Sequence, residues 1–173
     1  LVFNCPRRTC RMKIGFNCSS FDLLHAGHVT MLKMEKELCD YLVVALQIDP
    51  TVDRPGSKNK PVQSAYERYV QLQACKYVDE ILIYETEFDL SQLLQTQTIH
   101  IRFLSEEYLN RDFTGKQYCM DVGIELHYHK RGHKYSSSEL RARTAKLENA
   151  KDKDTTESLP QYSPELIKTR EPQ

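Results

Sequence analysis

The stretch SSFDLLHAGH, residues 19 to 28, holds two histidines three apart, His25 and His28, with Gly27 between them. It follows a short apolar run, KIGFNC (13 to 18), and leads into an amphipathic one, HVTMLKMEKEL (28 to 38). Where a strand hands over to a helix, unpaired backbone N–H groups and the positive end of the helix dipole favour an anion. A glycine there, having no Cβ, lets a phosphate approach the backbone closely. Imidazoles beside it can donate hydrogen bonds to phosphate oxygens, and such donors are worth most where negative charge builds up in a transition state. Two plainer arrangements suit the same residues. One is a helix-capping histidine beside a surface histidine; the other is a metal pair completed after folding by His127, His129 or His133.

Further cations and donors recur along the chain. Lys58 and Lys60 lie in the loop-like DRPGSKNKPVQ, Arg68 in a helical segment, Arg131 after the last strand-like run, and Ser136, Ser137 and Ser138 at the start of a last helix. Hydroxyls and N–H groups together at a helix start make a second anion-binding end. Each segment has an ordinary alternative: a solvated loop, an ion pair with a helix carboxylate, or simple capping.

The elements that must position these groups follow from periodicity. KIGFNC reads as a first strand, and the run from His28 to Leu38 as a helix whose Val29, Leu32, Met34 and Leu38 share a broad face. DYLVVALQ (40 to 47) is continuous enough for a strand covered on both sides. After the loop beyond Asp49, Ser64 and Glu67 form a capping box for a helix running to about Lys76. EILIY (80 to 84), IHIRFLS (99 to 105) and IELHYHK (124 to 130) are further strands, with a helix LSQLLQTQ between the first two. Ser136 and Glu139 announce the last helix with a second capping box. Such alternation predicts an α/β fold, a Rossmann-like, doubly wound parallel sheet of about five strands, with ligands beyond the strands' carboxyl ends.

The chain has 173 residues, with 24 basic side chains balancing 24 acidic ones. No whole-molecule field draws it onto nucleic acid or an anionic membrane, so anion binding must be local. The longest clean apolar run, YLVVAL, is strand-sized, and neither a membrane span nor a secretory signal is read; a cytoplasmic protein is the default expectation. Six cysteines without a C-x-x-C pair are expected to be free thiols, with Cys39 and Cys75 inside helices. Residues 1–11 fit no element and Met12 would suit a start, so the working domain is expected over residues 12–147. The polar, proline-bearing stretch from Glu148 to Gln173 is expected as a tail.

In order along the chain, SSFDLLHAGHVTML, DYLVVALQID, KPVQSAYERYVQL, KYVDEI and SSSELR resemble the motifs of the cytidylyltransferase-type nucleotidyltransferases, whose opening signature is G-x-F-D-x-x-H-x-G-H. Among these the glycerol-3-phosphate cytidylyltransferases are most similar. The resemblance covers about residues 13 to 141. It implies transfer of CMP from CTP, with Mg²⁺, to a small phosphate ester such as glycerol 3-phosphate, with release of pyrophosphate, by a homodimer. It places Ser20 and Phe21 against the nucleotide through backbone, and His25, Gly27 and His28 at the triphosphate. Lys60, Arg131, Ser136, Ser137 and Ser138 belong with the nucleotide, and His25, His28, Lys60 and Arg131 with the chemistry. Asp22, Asp49, Lys58, Arg68 and Lys76 are assigned to the acceptor.

The physics is compatible with that chemistry. A phosphate monoester is already nucleophilic near neutral pH, so catalysis reduces to aligning two anions and neutralising them. The chain departs from the motifs where Ser19 replaces the signature glycine, Ser20 the following residue, and Lys76 the arginine before YVDE. Ser105, Glu106 and Glu107 replace a glycine-acidic run. Two other functions share the constellation: adenylyl transfer to a sugar phosphate, and nucleotide binding without turnover.

Overall fold

In a computed structural model, which describes residues 12–130 and 135–151, alternation of strand and helix builds one five-stranded sheet. The elements are β1 (Ile14–Ser19), α1 (Ala26–Lys36), β2 (Tyr41–Gln47), α2 (Ala65–Gln73), β3 (Glu80–Tyr84), α3 (Glu87–Thr96), β4 (Ile101–Ser105), α4 (Lys116–Val122), β5 (Glu125–His129) and α5 (Ser137–Lys151). A short 3-10 turn, Glu106–Tyr108, follows β4. The strand order is β3-β2-β1-β4-β5, and every pairing is parallel. The sheet is therefore doubly wound: it grows outward from β1 in one direction, then in the other. The chain falls into two compact units, one ending at Leu140 and the other beginning at Arg141.

Side chains alternate across the sheet, as a two-residue period requires. One face of β2 carries Leu42, Val44 and Leu46, packed with Leu32 of α1, Leu72 of α2, and Phe103. The other carries Val43 and Ala45, packed with Phe16, Leu90 and Leu94 of α3, and Cys119 of α4. Two-sided burial explains why β2 reads as an unbroken apolar run.

Several boundaries differ from expectation. The face of α1 that meets the sheet is carried by Gly27, Leu32 and Glu35, whereas Val29, Met34 and Leu38 are exposed. The broad apolar face was therefore misassigned: a buried glutamate occupies a core-facing position. α2 ends at Gln73, and Cys39 and Cys75 lie just beyond their helices. Cys18, Cys39, Cys75 and Cys119 are free thiols, as expected of those four. α4 was not anticipated within the polar stretch from Ser105 to Cys119; Gly115, in the left-handed region at φ 76°, starts it. α5 continues to Lys151, past the Glu148 at which a tail was expected to begin. No helix among the described residues is long and apolar enough to cross a membrane.

Candidate active site

The histidine pair sits where β1 gives way to α1, at the carboxyl edge of the sheet. His25 is the N-cap of α1: its backbone is extended, and its Nδ1 accepts the N–H groups of Gly27 at 3.1 Å and His28 at 3.4 Å. A ring nitrogen that accepts carries no proton, so the neutral imidazole holds its proton on Nε2, across the ring from the helix. The His28 ring stacks on it, with centroids 3.9 Å apart and planes 16° from parallel, and Phe21 lies 5.4 Å beyond. Capping and anion binding are thus compatible in His25: the cap orients the ring.

The loop ahead of the pair is strained. Phe21 and Leu23 have φ of 48° and 52°, a region that bulky L-residues avoid. Three contacts hold them there. Asp22 Oδ1 accepts the N–H groups of Val62 and Gln63 at 2.9 and 3.0 Å, Gln63 Oε1 accepts Leu23 N–H at 2.8 Å, and Phe21 is buried. Ser19 instead ends β1 in register with Leu46, so loss of the signature glycine costs no backbone strain at that position.

Arg68 is held inside the protein. The residue is only 2% exposed and its guanidinium donates to backbone carbonyls: Nη1 to Ser20 and Gln47, each at 2.7 Å, Nη2 to Ile48 at 2.6 Å, and Nε to Gln63 at 3.1 Å. A side chain so engaged fastens the ends of β1 and β2 together, with its donors turned to backbone carbonyls. Asp22 likewise is a buried pin between loops.

The start of α5 reaches the same place. Ser136 Oγ accepts Glu139 N–H at 3.1 Å, the expected cap, and Ser137 Oγ donates to the Asp22 carbonyl at 2.7 Å. The hydroxyl of a residue 115 positions away is thereby tied to the strained loop, next to the histidine pair. Ser138 is exposed on the same turn.

Lys58 and Lys60 are exposed in the loop after β2. Lys60 Nζ is 4.0 Å from Asp49, whose carboxylate accepts from Thr51 N–H and Oγ1, and those bonds hold it below the usual carboxylate range. Lys76 is not brought to the site. It lies just ahead of β3, at the opposite, amino edge of the sheet, with Nζ 5.2 Å from the Tyr77 ring. Motif similarity does not separate the two ends of a crossover; the direction of the parallel strand does. Arg131, like His133, lies outside the described residues. His127 packs edge-on against Phe103 and His129 Nε2 lies 3.2 Å from buried Glu35. Among the described residues no three metal-ligating side chains converge.

Gln63 was missed, although its place just ahead of the Ser64 cap marks it as a loop pin. Arg102, 2% exposed in β4 with Nη1 donating to the Thr114 carbonyl at 2.7 Å, was missed too, although a charged residue inside the strand-like IRFLS signals buried polar structure.

The pattern of the cytidylyltransferase-like family matches residues 16–143, and the chain belongs to that family. It is 42% identical over 64 residues to the ethanolamine-phosphate cytidylyltransferase of Arabidopsis thaliana, covering 37% of this chain and 15% of that protein. It is 31% identical over 114 residues to the bifunctional protein HldE of Helicobacter pylori strain G27, covering 66% of this chain and 24% of that one. The chain thus spans a quarter or less of these relatives. In fold it is similar to a lipopolysaccharide core biosynthesis protein from Thermoplasma volcanium, with TM-score 0.54, 24% identity, 72% of this chain and 99% of that one. It is also similar to a pantoate-beta-alanine ligase from Francisella tularensis, with TM-score 0.55, 18% identity, 83% of this chain and 70% of that one.

Proposed function

We propose that this chain is a cytidylyltransferase, transferring CMP from CTP to a small phosphate ester such as glycerol 3-phosphate and releasing pyrophosphate. The observation that carries the reading is the Ser137–Asp22 hydrogen bond, which sets the start of α5 beside the histidine-bearing start of α1. Two helix beginnings facing one place supply converging N–H groups and dipoles for a polyanion. Their family membership narrows that polyanion to a nucleotide.

In this reading the acceptor phosphate attacks the α-phosphorus of CTP and pyrophosphate leaves. His25 Nε2–H and the adjacent His28 donate to the oxygens on which charge accumulates. Lys60 neutralises the outer phosphates, and Lys58 in the same loop assists. Mg²⁺ would neutralise phosphate charge, and with no cluster of three ligating side chains among the described residues it would arrive on the triphosphate. A homodimer is part of the proposal by resemblance alone.

The test is pyrophosphate release by the purified chain with Mg²⁺, CTP or ATP, and a panel of phosphate esters. Release with CTP is expected; release only with ATP points to adenylyl transfer, and CTP binding without release to a module that has lost turnover. His28→Ala should lower kcat by about a hundredfold or more, as when a transition-state donor is removed. A kcat near wild type would remove His28 from the mechanism.

A further inference from the structure

A second polar cluster lies at the same carboxyl edge, on the other face of the sheet from α1. There the apolar row Phe16, Val43 and Ala45 gives way to Cys18, Gln47 and Tyr84, with Cys18 opposite Ala45 and Gln47 opposite Tyr84 in the strand register. Arg54 from the loop after β2, Glu87 at the start of α3 and Arg102 of β4 close over them.

The internal bonds of the cluster are specific. Arg54 Nη2 donates to Gln47 Oε1 at 3.2 Å and lies 2.9 Å from Glu87 Oε1. Thr114 donates its hydroxyl to the other oxygen of Glu87. Arg102 Nη1 donates to the Thr114 carbonyl at 2.7 Å, and its Nη2 faces Cys18 Sγ at 3.9 Å. Because Arg54 can only donate, the Gln47 amide must turn its oxygen toward it, leaving the NH₂ end facing elsewhere.

Three donors in this cluster, Gln47 Nε2, Arg54 Nε and Arg102 Nε, are buried and have no hydrogen-bond partner among the described residues. Gln47 and Arg102 are each 2% exposed. Donors withdrawn from water without acceptors are costly, so such a group is an anomaly unless something supplies oxygen to it. The acidic capacity, by contrast, is spent: both oxygens of Glu87 are engaged. Burial pushes the Cys18 thiol and the Tyr84 hydroxyl up, which keeps both neutral. The surplus is therefore of donors and positive charge.

We infer that the Gln47–Arg54–Glu87–Arg102 cluster receives the non-phosphate end of the acceptor and selects a tail with oxygen acceptors, a hydroxylated phosphate ester, over one ending in an ammonium. The inference rests on the cytidylyl-transfer reading. Position favours it: Arg68 Nη1 bonds the carbonyls of both Gln47 and Ser20, so the cluster adjoins the residue that leads into the histidine loop.

The experiment measures kcat and KM of the full chain with CTP for glycerol 3-phosphate and ethanolamine phosphate, alongside calorimetric binding of CTP. Wild type is expected to favour glycerol 3-phosphate by about tenfold or more in kcat/KM, the scale set by unpaired buried donors. Gln47→Leu should raise KM for glycerol 3-phosphate by about tenfold while kcat and CTP affinity hold, and Arg54→Met, at the rim, should do the same if Gln47→Leu fails to fold. Preference for ethanolamine phosphate, or an unmoved KM in the folded variants, overturns the inference and leaves cytidylyl transfer standing. No pyrophosphate with any acceptor overturns both.

Discussion

Glu35 is 1% exposed in the core-facing stripe of α1, and among the described residues Asn17 Nδ2, at 2.5 Å, and His129 Nε2, at 3.2 Å, reach its carboxyl, both at Oε1. Its other oxygen has no partner among the described residues. Burial is the larger influence and outweighs the Asn17 hydrogen bond, pushing the pKa up to about 8. With the Glu35 carboxyl protonated, the His129 contact at 3.2 Å is not an ion pair with a carboxylate. The sign follows: below about 4.5 both folded and unfolded chains hold the proton. Between there and about 8 only the folded chain does, so raising the pH withdraws stability. Glu35→Gln keeps the shape and cannot ionise. Its stability relative to wild type should therefore grow by up to about 1.4 kcal/mol per pH unit across that window, and level off above it. Urea denaturation at pH 5, 6.5 and 8 measures this, and parallel curves for the two proteins would show that Glu35 is not held neutral.

At the scale of elements, β1 is the centre of the sheet, and its Gly15 is required by space. A Cβ built there would stand 2.6 Å from Phe103 Cε2 and 2.7 Å from Cys39 Sγ. Gly15→Ala should cost about 1–3 kcal/mol, as overpacking does, and Cys39→Ala in the same chain should return part of it. An unchanged urea midpoint would mean that Phe103 and Cys39 give way freely and that Gly15 is not required by space. The same elements indicate what could be read beforehand. The five strands and the starts of α2 and α5 were legible because continuous apolar runs and the Ser64–Glu67 and Ser136–Glu139 pairs each encode a local rule, whereas α3 starts at Glu87, ahead of the Leu90 expected, behind a Thr86–Asp89 capping box. The face of α1 was not, since Glu35 breaks the apolar period for a tertiary reason. The capping and phosphate-site roles expected of Ser136 and His25 rest on local chemistry, and their caps are present. The roles of Arg68 and Lys76 depended on which way a long side chain turns and which end of a strand a loop joins. Neither property is written in residue type.

Over the whole molecule, 24 basic and 24 acidic side chains cancel, so attraction for a polyanion must come from arrangement, not net charge. In the function proposed above, the doubly wound order supplies it by bringing the turn after β1 and the start of α5 together at the reversal point, through the Ser137–Asp22 bond across 115 positions. A nucleotide bridging these two segments binds only the folded arrangement, and so stabilises the fold by mass action. At a hundred times its Kd, CTP should add about 2.7 kcal/mol, a rise of roughly 5–10 °C in Tm for a domain of this size. Ser137→Ala loosens that tie but leaves the core of the sheet untouched. Its Tm without ligand should stay close to wild type, while the rise at the same CTP concentration should shrink because the two segments must first be brought together. Thermal melts of both proteins with and without CTP measure the difference. Equal rises would mean that the nucleotide does not bridge the two helix starts, and the site would then have to be drawn around the histidine loop alone.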